Sequence, residues 1–488
     1  MSRISVAMKR TILLVALAVG VIKASAQDYH AISGSNYAGA LSVHNNPASI
    51  VNIPYPWDVT LAGLQAKYQT NVIKVVNYSL LSSPTASEFF ITGGEYARKG
   101  NEQLNLNLLN TRIALGKKTV VAFGANLRSF ANIRTSSYNF VDSIETANEL
   151  FALNPGNSPL EASIRTSNWI ELYGAIGRTL FDEPGFRINA GLTMKVNRGI
   201  GGGRMQLDGM YRERTIVNGE PQYALREGQF AYGYSSNIDR WNSNRSTMGN
   251  LREVLTATRM GLSLDAGLEL LIKPAGDPGF MEDEETYYDY DWKIGASVLD
   301  LGYAFYRYSN NSRTGRIPVT GLNADRLDQA FVEGVANMEA FSDSVDAVFD
   351  ARTLSGDFRI WAPTRLVLNV DRFISSAFYV NAELSINVIN LLGDQRLFVR
   401  NMNAIRLTPR WETRRLGAYL PLLYNAQNQF WVGAAVKVGP LLLGVHNLGN
   451  VFGKTSMANG GGYITINIRP GKRVTGEKKD RGLDCPPY

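Results

Sequence analysis

Histidine is scarce in this chain. His30, His44 and His446 are the only three among 488 residues, and Cys485 is the single cysteine. A metal centre needs several His, Cys, Asp or Glu ligands at compact spacing, and the sequence offers no such cluster. No metal and no cofactor are therefore expected. His446, Asn447 and Ser456 supply the residue types of a membrane-embedded Ser/His/Asn hydrolase. Adjacent residues on a strand point to opposite faces, so His446 and Asn447 cannot serve one reaction centre there. We expect no catalytic residue and no enzymatic activity. The glycine-rich "GIGGGR" (199–204) is followed by a strand pattern, whereas a phosphate-binding loop opens a helix. "DPGFMEDEETYYDYD" (277–291) gathers acids without the ordered spacing of a calcium loop, and reads as a solvated acidic turn.

The chemistry that is present lies on alternating polar faces. In "IRLTPRWETR" (405–414), Arg406, Thr408, Arg410, Glu412 and Arg414 share one face of a strand. Arg204, Gln206, Asp208, Arg212 and Arg214 do the same on a candidate sixth strand. Such rows suit two roles. One is a structural network of Arg–carboxylate pairs, and the other is a selectivity surface for anionic or amphiphilic solutes.

The elements that carry these rows are long strands. "FRINAGLTMKVN" (186–197) sets Phe186, Ile188, Ala190, Leu192, Met194 and Val196 against Arg187, Asn189, Gly191, Thr193, Lys195 and Asn197. "GLSLDAGLELLI", "FYVNAELSINV" and "YDYDWKIGASV" repeat the pattern. Soluble strands peak near 5–6 residues, whereas a run of this length, tilted by ~40°, rises roughly 28–31 Å and crosses an outer-membrane apolar band of about 25 Å. The polar row would then face a lumen and the apolar row lipid. This places Arg187, Asn189, Thr193, Lys195, Arg204, Arg406, Arg410, Glu412 and Arg414 in the lumen. About 15 stretches between 57–67 and 462–469 read as candidate strands, with 404–424 ambiguous. Single-chain bacterial barrels are even-numbered, and some short candidates belong to loops, so we expect 14 strands within a range of 12–16.

Several other features agree with an all-β transmembrane antiparallel barrel. "MSRISVAMKRTILLVALAVGVIKASA" (1–26) has a basic start, an apolar centre of about a dozen residues and the exit Ala24-Ser25-Ala26. It reads as a cleavable signal peptide, too short to span a bilayer. Removing its four basic residues takes the formal +7 to +3, which gives no case for nucleic-acid binding. Turns at 115–120, 181–186 and 425–428 are tight and alternate with long stretches such as 133–163, as periplasmic turns alternate with outer loops. "GIGGG" (199–203) and "GP" (439–440) break that parity. Tyr287, Tyr288, Tyr290, Trp292, Phe186, Phe430 and Trp431 stand at strand starts, where a headgroup girdle would need them.

With that frame in place, "SGSNYAGALSVHNNPASIVNIPYPWDVTLAGLQAKYQTN" (33–71) becomes informative. Asn36, Gly39, Asn45, Asn46-Pro47-Ala48 and the strand from Trp57 resemble the start of an uncharacterised family of Bacteroidota outer-membrane barrels. That family is similar in turn to the long-chain fatty-acid transporter barrels and the type IX secretion barrels. The resemblance implies a hatch near the mature N-terminus that holds Asn46, Pro47 and Ala48 in the lumen; Asn36 and Asn45, which like Asn46 can each donate and accept, are expected in the same plug. The same stretch carries turn chemistry and no charged residue before Ile53, as a plug requires. No ligand-pocket motif matches, so fatty-acid specificity is not implied.

The expected organisation is a signal peptide (1–26), a plug (27–56), a barrel (57–469) and a basic periplasmic tail (470–488). Residues 324–350 read as one acidic amphipathic helix packed on the barrel mouth. Outer-membrane lipid and the barrel-assembly machinery are the expected partners. Two functions remain open: a channel or transporter for small hydrophobic or amphiphilic solutes, and a closed, non-transporting scaffold that binds a secretion or surface-assembly partner, a periplasmic or surface protein. A lumen with no cavity beyond a water's width behind residues 36–50 would favour the scaffold.

Overall fold

The computed structural model describes residues 29–470, except 77–87, 157, 218–219, 243, 275–288, 333–336, 393–395 and 453–457. The signal peptide, the tail with Cys485, Ser456 and most of the acidic stretch 277–291 thus lie outside the described residues. The wall is a closed antiparallel barrel of 14 strands. In chain order these are β1 (Trp57–Thr70), β2 (Gly94–Ala114), β3 (Thr119–Phe140), β4 (Leu160–Asp182), β5 (Phe186–Val217), β6 (Arg259–Ile272) and β7 (Trp292–Arg307). They continue as β8 (Arg365–Ser375), β9 (Phe378–Asn387), β10 (Ala404–Glu412), β11 (Leu416–Tyr419 with Leu422–Asn425), β12 (Phe430–Val432 with Ala434–Val438), β13 (Leu441–Val445) and β14 (Asn459–Ile468). Each pairs with its neighbour, and β1 closes the ring on β14 through pairs such as Val59 with Ile468. Closure leaves no open edge to aggregate or to strand polar backbone in lipid.

Alternation decides what each face meets. On β5, Leu192 and Met194 are 51% and 59% exposed, while Asn189, Thr193 and Lys195 are buried. On β6, Leu262, Leu264 and Leu268 are exposed, and Ser263, Asp265 and Glu269 are buried. An exposed apolar face around a buried polar interior inverts the soluble arrangement, as a lipid-facing wall requires.

Both parity exceptions disappear. Residues 199–203 are not a turn. They lie within β5, which runs unbroken for 32 residues. Side chains at Gly199 and Gly202 would collide with Tyr306, so glycine there reflects close packing rather than a bend. The candidate strands 204–217 and 222–235 are therefore the upper half of β5, which still pairs with β4 as far as Met210, and its hairpin partner Glu220–Tyr234, which is not one of the ring strands. Residues 439–440 join β12 to β13 at the same end as 115–118 and 183–185. That short-turn end also holds the start of β1 and the end of β14. The turn at 425–428, by contrast, lies at the opposite, long-loop end, because Asn425 pairs with Ala404 at the top of β10.

Two girdle assignments are corrected as well. Trp431 is buried against Met402 and Leu423, and Tyr290 precedes β7 and packs inside against Leu271 and Tyr379. Phe186, Trp292 and Phe430 do face outward.

The long-loop end carries a small apolar cap. Helices α1 (Ala147–Leu153), α3 (Ala324–Val332) and α4 (Met338–Val348) pack on the β5 hairpin through Phe151, Phe331, Val345 and Phe230. The single helix expected over 324–350 is instead two. Asn337 caps the second by accepting from Ala340 N, which fixes a new start. Asp328 of α3 accepts from Ala147 N at the start of α1, tying the helices together. Hydrogen bonding by Asp346 raises the Arg313 guanidinium further above its usual range.

Candidate functional site

Residues 29–56 fill the barrel interior as three short 3-10 turns, His30–Ile32, Gly39–His44 and Pro47–Asn52. Asn46 makes the last turn possible. Its Oδ1 accepts from Ala48 N, its Nδ2 donates to the Leu268 carbonyl at 2.9 Å, and Pro47 supplies the first turn residue. The wall makes room with glycine. A Cβ on Gly191 would meet the Pro47 backbone, and one on Gly267 or Gly295 would meet Asn46. Polar side chains then hold the segment. Asn36 accepts from Lys293 Nζ at 3.1 Å, and Asn45 donates to Glu383 at 2.9 Å. Arg112 donates to the carbonyls of Ile50, Ile53 and Tyr55. Ser49 and Asn52 both donate to Glu269. Ala48 is fully buried. The cavity between Tyr29, Ser33, Asn45, Ser49 and Lys293 measures about 30 Å³.

Two ion networks flank this segment. In the first, Lys195 Nζ lies 2.7 Å from both Asp265 and Asp300, and 3.9 Å from Glu171. Arg128 forks onto Asp300 at 2.5 and 2.9 Å and reaches Glu171 at 3.0 Å. In the second, Arg410 forks onto Asp371 at 2.6 and 2.9 Å and donates to Glu412 at 3.1 Å. Lys437 meets Glu412 at 3.2 Å, and Arg406 bonds Glu383 and Ser33. Bidentate pairing at these distances fixes geometry as well as charge, and little of it is open to a passing solute.

The arginine row of 405–414 thus divides. Arg406, Arg410 and Glu412 enter the networks, while Arg414 lies in the turn beyond β10 and lends its carbonyl to Arg469. Arg187 bridges Asp182 and Asp289 at the short-turn rim. Asn189 donates to Asn52 of the inner segment at 3.0 Å, and Thr193, further up the same inward row, is buried. Arg204 lies higher, over the Tyr308 ring in the half of β5 that pairs with the hairpin.

An open site lies elsewhere. At the long-loop end a cleft of about 250 Å³ is lined by Lys99, Arg134, Arg400, Asn101, Asn387 and Gln427 among others. Among the described residues three cations and no carboxylate line it, so their chemistry favours an anionic or strongly polar group. Beneath it Gln69 and Asn101, Lys67 and Gln103, then Gln65 and Asn105, face each other in register on β1 and β2. This amide ladder descends from the cleft to the inner segment. His446 sits 2.9 Å from Gln65 and 3.0 Å from His30, and Tyr29 donates to Asn107. The alternate amides of "NEQLNLN" (101–107) carried a signal for this ladder that the arginine-rich rows overshadowed.

The overall barrel is similar to several solved structures at low identity. A TodX deltaS2S3 mutant monoaromatic hydrocarbon channel shares 12% identity and a TM-score of 0.40, over 91% of this chain and 98% of that one. The toluene transporter TbuX of Ralstonia pickettii shares 10%, with a TM-score of 0.38, over 93% and 96%. A FadL homologue of Pseudomonas aeruginosa shares 7%, with a TM-score of 0.39, over 91% and 98%. No curated protein matches the chain. One family model matches residues 47–445, from the Asn-Pro-Ala turn to the end of β13, and the chain therefore belongs to DUF5723, a family of unknown function.

Proposed function

We propose that this protein is an outer-membrane channel or transporter for small amphiphilic solutes, with residues 29–56 as its plug and the long-loop end facing outward. The cleft over the amide ladder carries the reading. Lys99, Arg134 and Arg400 would take an anionic head, and the ladder offers amide donors and acceptors, with the Lys67 ammonium among them, down to the plug. Passage requires the plug to shift. Its seat is mostly polar, and each hydrogen bond exchanged for water costs only about 0.5–1.5 kcal/mol net, so partial displacement is within reach of a bound solute.

The test is uptake of octanoate into liposomes carrying the purified barrel, with octylamine as the oppositely charged comparison. Octanoate should enter faster than octylamine, and Lys99→Gln with Arg134→Gln should remove that preference. Equal entry of both solutes into parent and variant vesicles would reject the reading.

The scaffold reading has its own support. The cavity against the plug is far smaller than the cleft above it, which suits a closed barrel presenting its cap to a secretion or surface-assembly partner. Absence of uptake from liposomes holding the correctly folded protein, together with specific capture of such a partner, would favour it.

A further inference from the structure

Between the hairpin of β5 and the start of β6 lies helix α2 (Thr247–Thr256). Ser246 caps it by accepting from Gly249 N, and Asn250 and Val254 bury its inner side. Its other side is apolar and bare. Met248 is 73% exposed, Leu251 is exposed, and Trp241 is exposed just before it. The helix lies at a definite height. Arg198 of β5 reaches the Leu255 carbonyl at 3.5 Å and is paired in register with Met260 of β6. Below Arg198 the outward row is Val196, Met194, Leu192, Ala190 and Ile188. From Ile188 up to Arg198 the strand rises roughly 26 Å at the usual tilt, which matches an apolar band of about 25 Å. Arg198 therefore marks the band's upper edge, and α2 sits on that edge.

Arg198, Met248, Leu251, Arg252 and Leu255 line one shallow groove. Glu253 is occupied by Arg240 and Arg245 at 3.2 and 3.6 Å. Among the described residues, Arg198 and Arg252 pair with no carboxylate. The groove thus joins apolar side chains, continuous with the lipid-covered wall, to two uncompensated guanidinium groups at headgroup height. We propose that this groove seats a phosphorylated lipid of the outer leaflet, its phosphate between Arg198 and Arg252 and its acyl chain along Met248 and Leu251. Guanidinium groups bind phosphate by paired, directional hydrogen bonds, and tryptophan such as Trp241 favours the interface. A soluble protein partner fits less well, because the groove's lower border merges with wall that lipid already covers.

The experiment is native mass spectrometry of the full mature chain in detergent, with a bisphosphorylated acylated glucosamine disaccharide as probe. Its dephosphorylated form and inorganic phosphate are the comparisons. The phosphorylated lipid should be retained as one adduct per barrel. Dephosphorylation, or Arg198→Gln with Arg252→Gln, should weaken retention by about tenfold or more. Leu251→Asp should weaken it independently. Both arginine side chains are exposed, so the variants keep the wall's hydrogen bonds, and gel mobility of the folded barrel checks this. Undiminished retention by the double variant would overturn the proposal. So would equal binding of the dephosphorylated lipid, or competition by inorganic phosphate alone.

Discussion

Lys195→Met should destabilise the barrel more than its conservative size suggests. Lys195 stands between Asp265 and Asp300, 2.7 Å from each, and Glu171 lies 3.9 Å away. All four side chains are buried. Methionine keeps the length of the chain, so little packing is lost. What remains is Arg128 facing three carboxylates. Arg128 already forks onto Asp300 and reaches Glu171, so Asp265 is left with one neutral partner, the Asp300 N–H at 2.7 Å. Removing one member of a buried ion pair costs about 3–5 kcal/mol. Adding Asp265→Asn removes the orphaned charge while Oδ1 still accepts from Asp300, so the double variant should regain more than half of that loss. The assay is equilibrium urea unfolding of the reconstituted barrel, followed by tryptophan fluorescence and the gel shift of the folded species. Lys118→Met, in an exposed turn, is the control and should stay within about 0.5 kcal/mol of the parent. A Lys195→Met barrel within 1 kcal/mol of the parent, or a double variant worse than the single one, would refute the argument.

Three further outcomes are expected. Leu192→Arg and Met194→Arg should each cost about 2–4 kcal/mol in lipid, whereas Ile216→Arg, 71% exposed on the same strand above the band, should cost almost nothing; equal costs would contradict the placement of the membrane. Position 191 is no neutral comparison, because Gly191→Ala already presses on the Pro47 backbone and should loosen the plug by roughly 1–3 kcal/mol, measured as faster proteolysis of the N-terminal segment. Deleting residues 33–50 should leave an assembled barrel of higher single-channel conductance, since Glu269, Glu383 and Lys293 would then face water rather than plug partners; unchanged conductance in a folded deletion variant would rule the plug out.

The sequence by itself determined the features that repeat along the chain. A pleat with a period of two is a local property, so residues 186–197 display their apolar and polar rows without any knowledge of neighbours. Strand length then distinguished a membrane wall from a soluble core, because bilayer thickness is an external ruler. The turn at Asn46-Pro47 was equally local. Only the tertiary structure decided the features that depend on what approaches from a distance. "GIGGG" carries turn chemistry, yet it continues a strand because Tyr306 packs where side chains would otherwise stand. Arg406 and Arg410 announced a polar face, but their partners Glu383 and Asp371 lie on other strands, and no spacing rule links them. The row of 405–414 also ended sooner than its pattern, because the turn after Glu412 takes Arg414 out of the wall. The outer cleft gathers residues 69, 99, 134, 400 and 427 only once the barrel has closed. Closure is a global event: it brings the ends of three strands and two remote connections into one surface, and a linear pattern holds no record of which of them will meet.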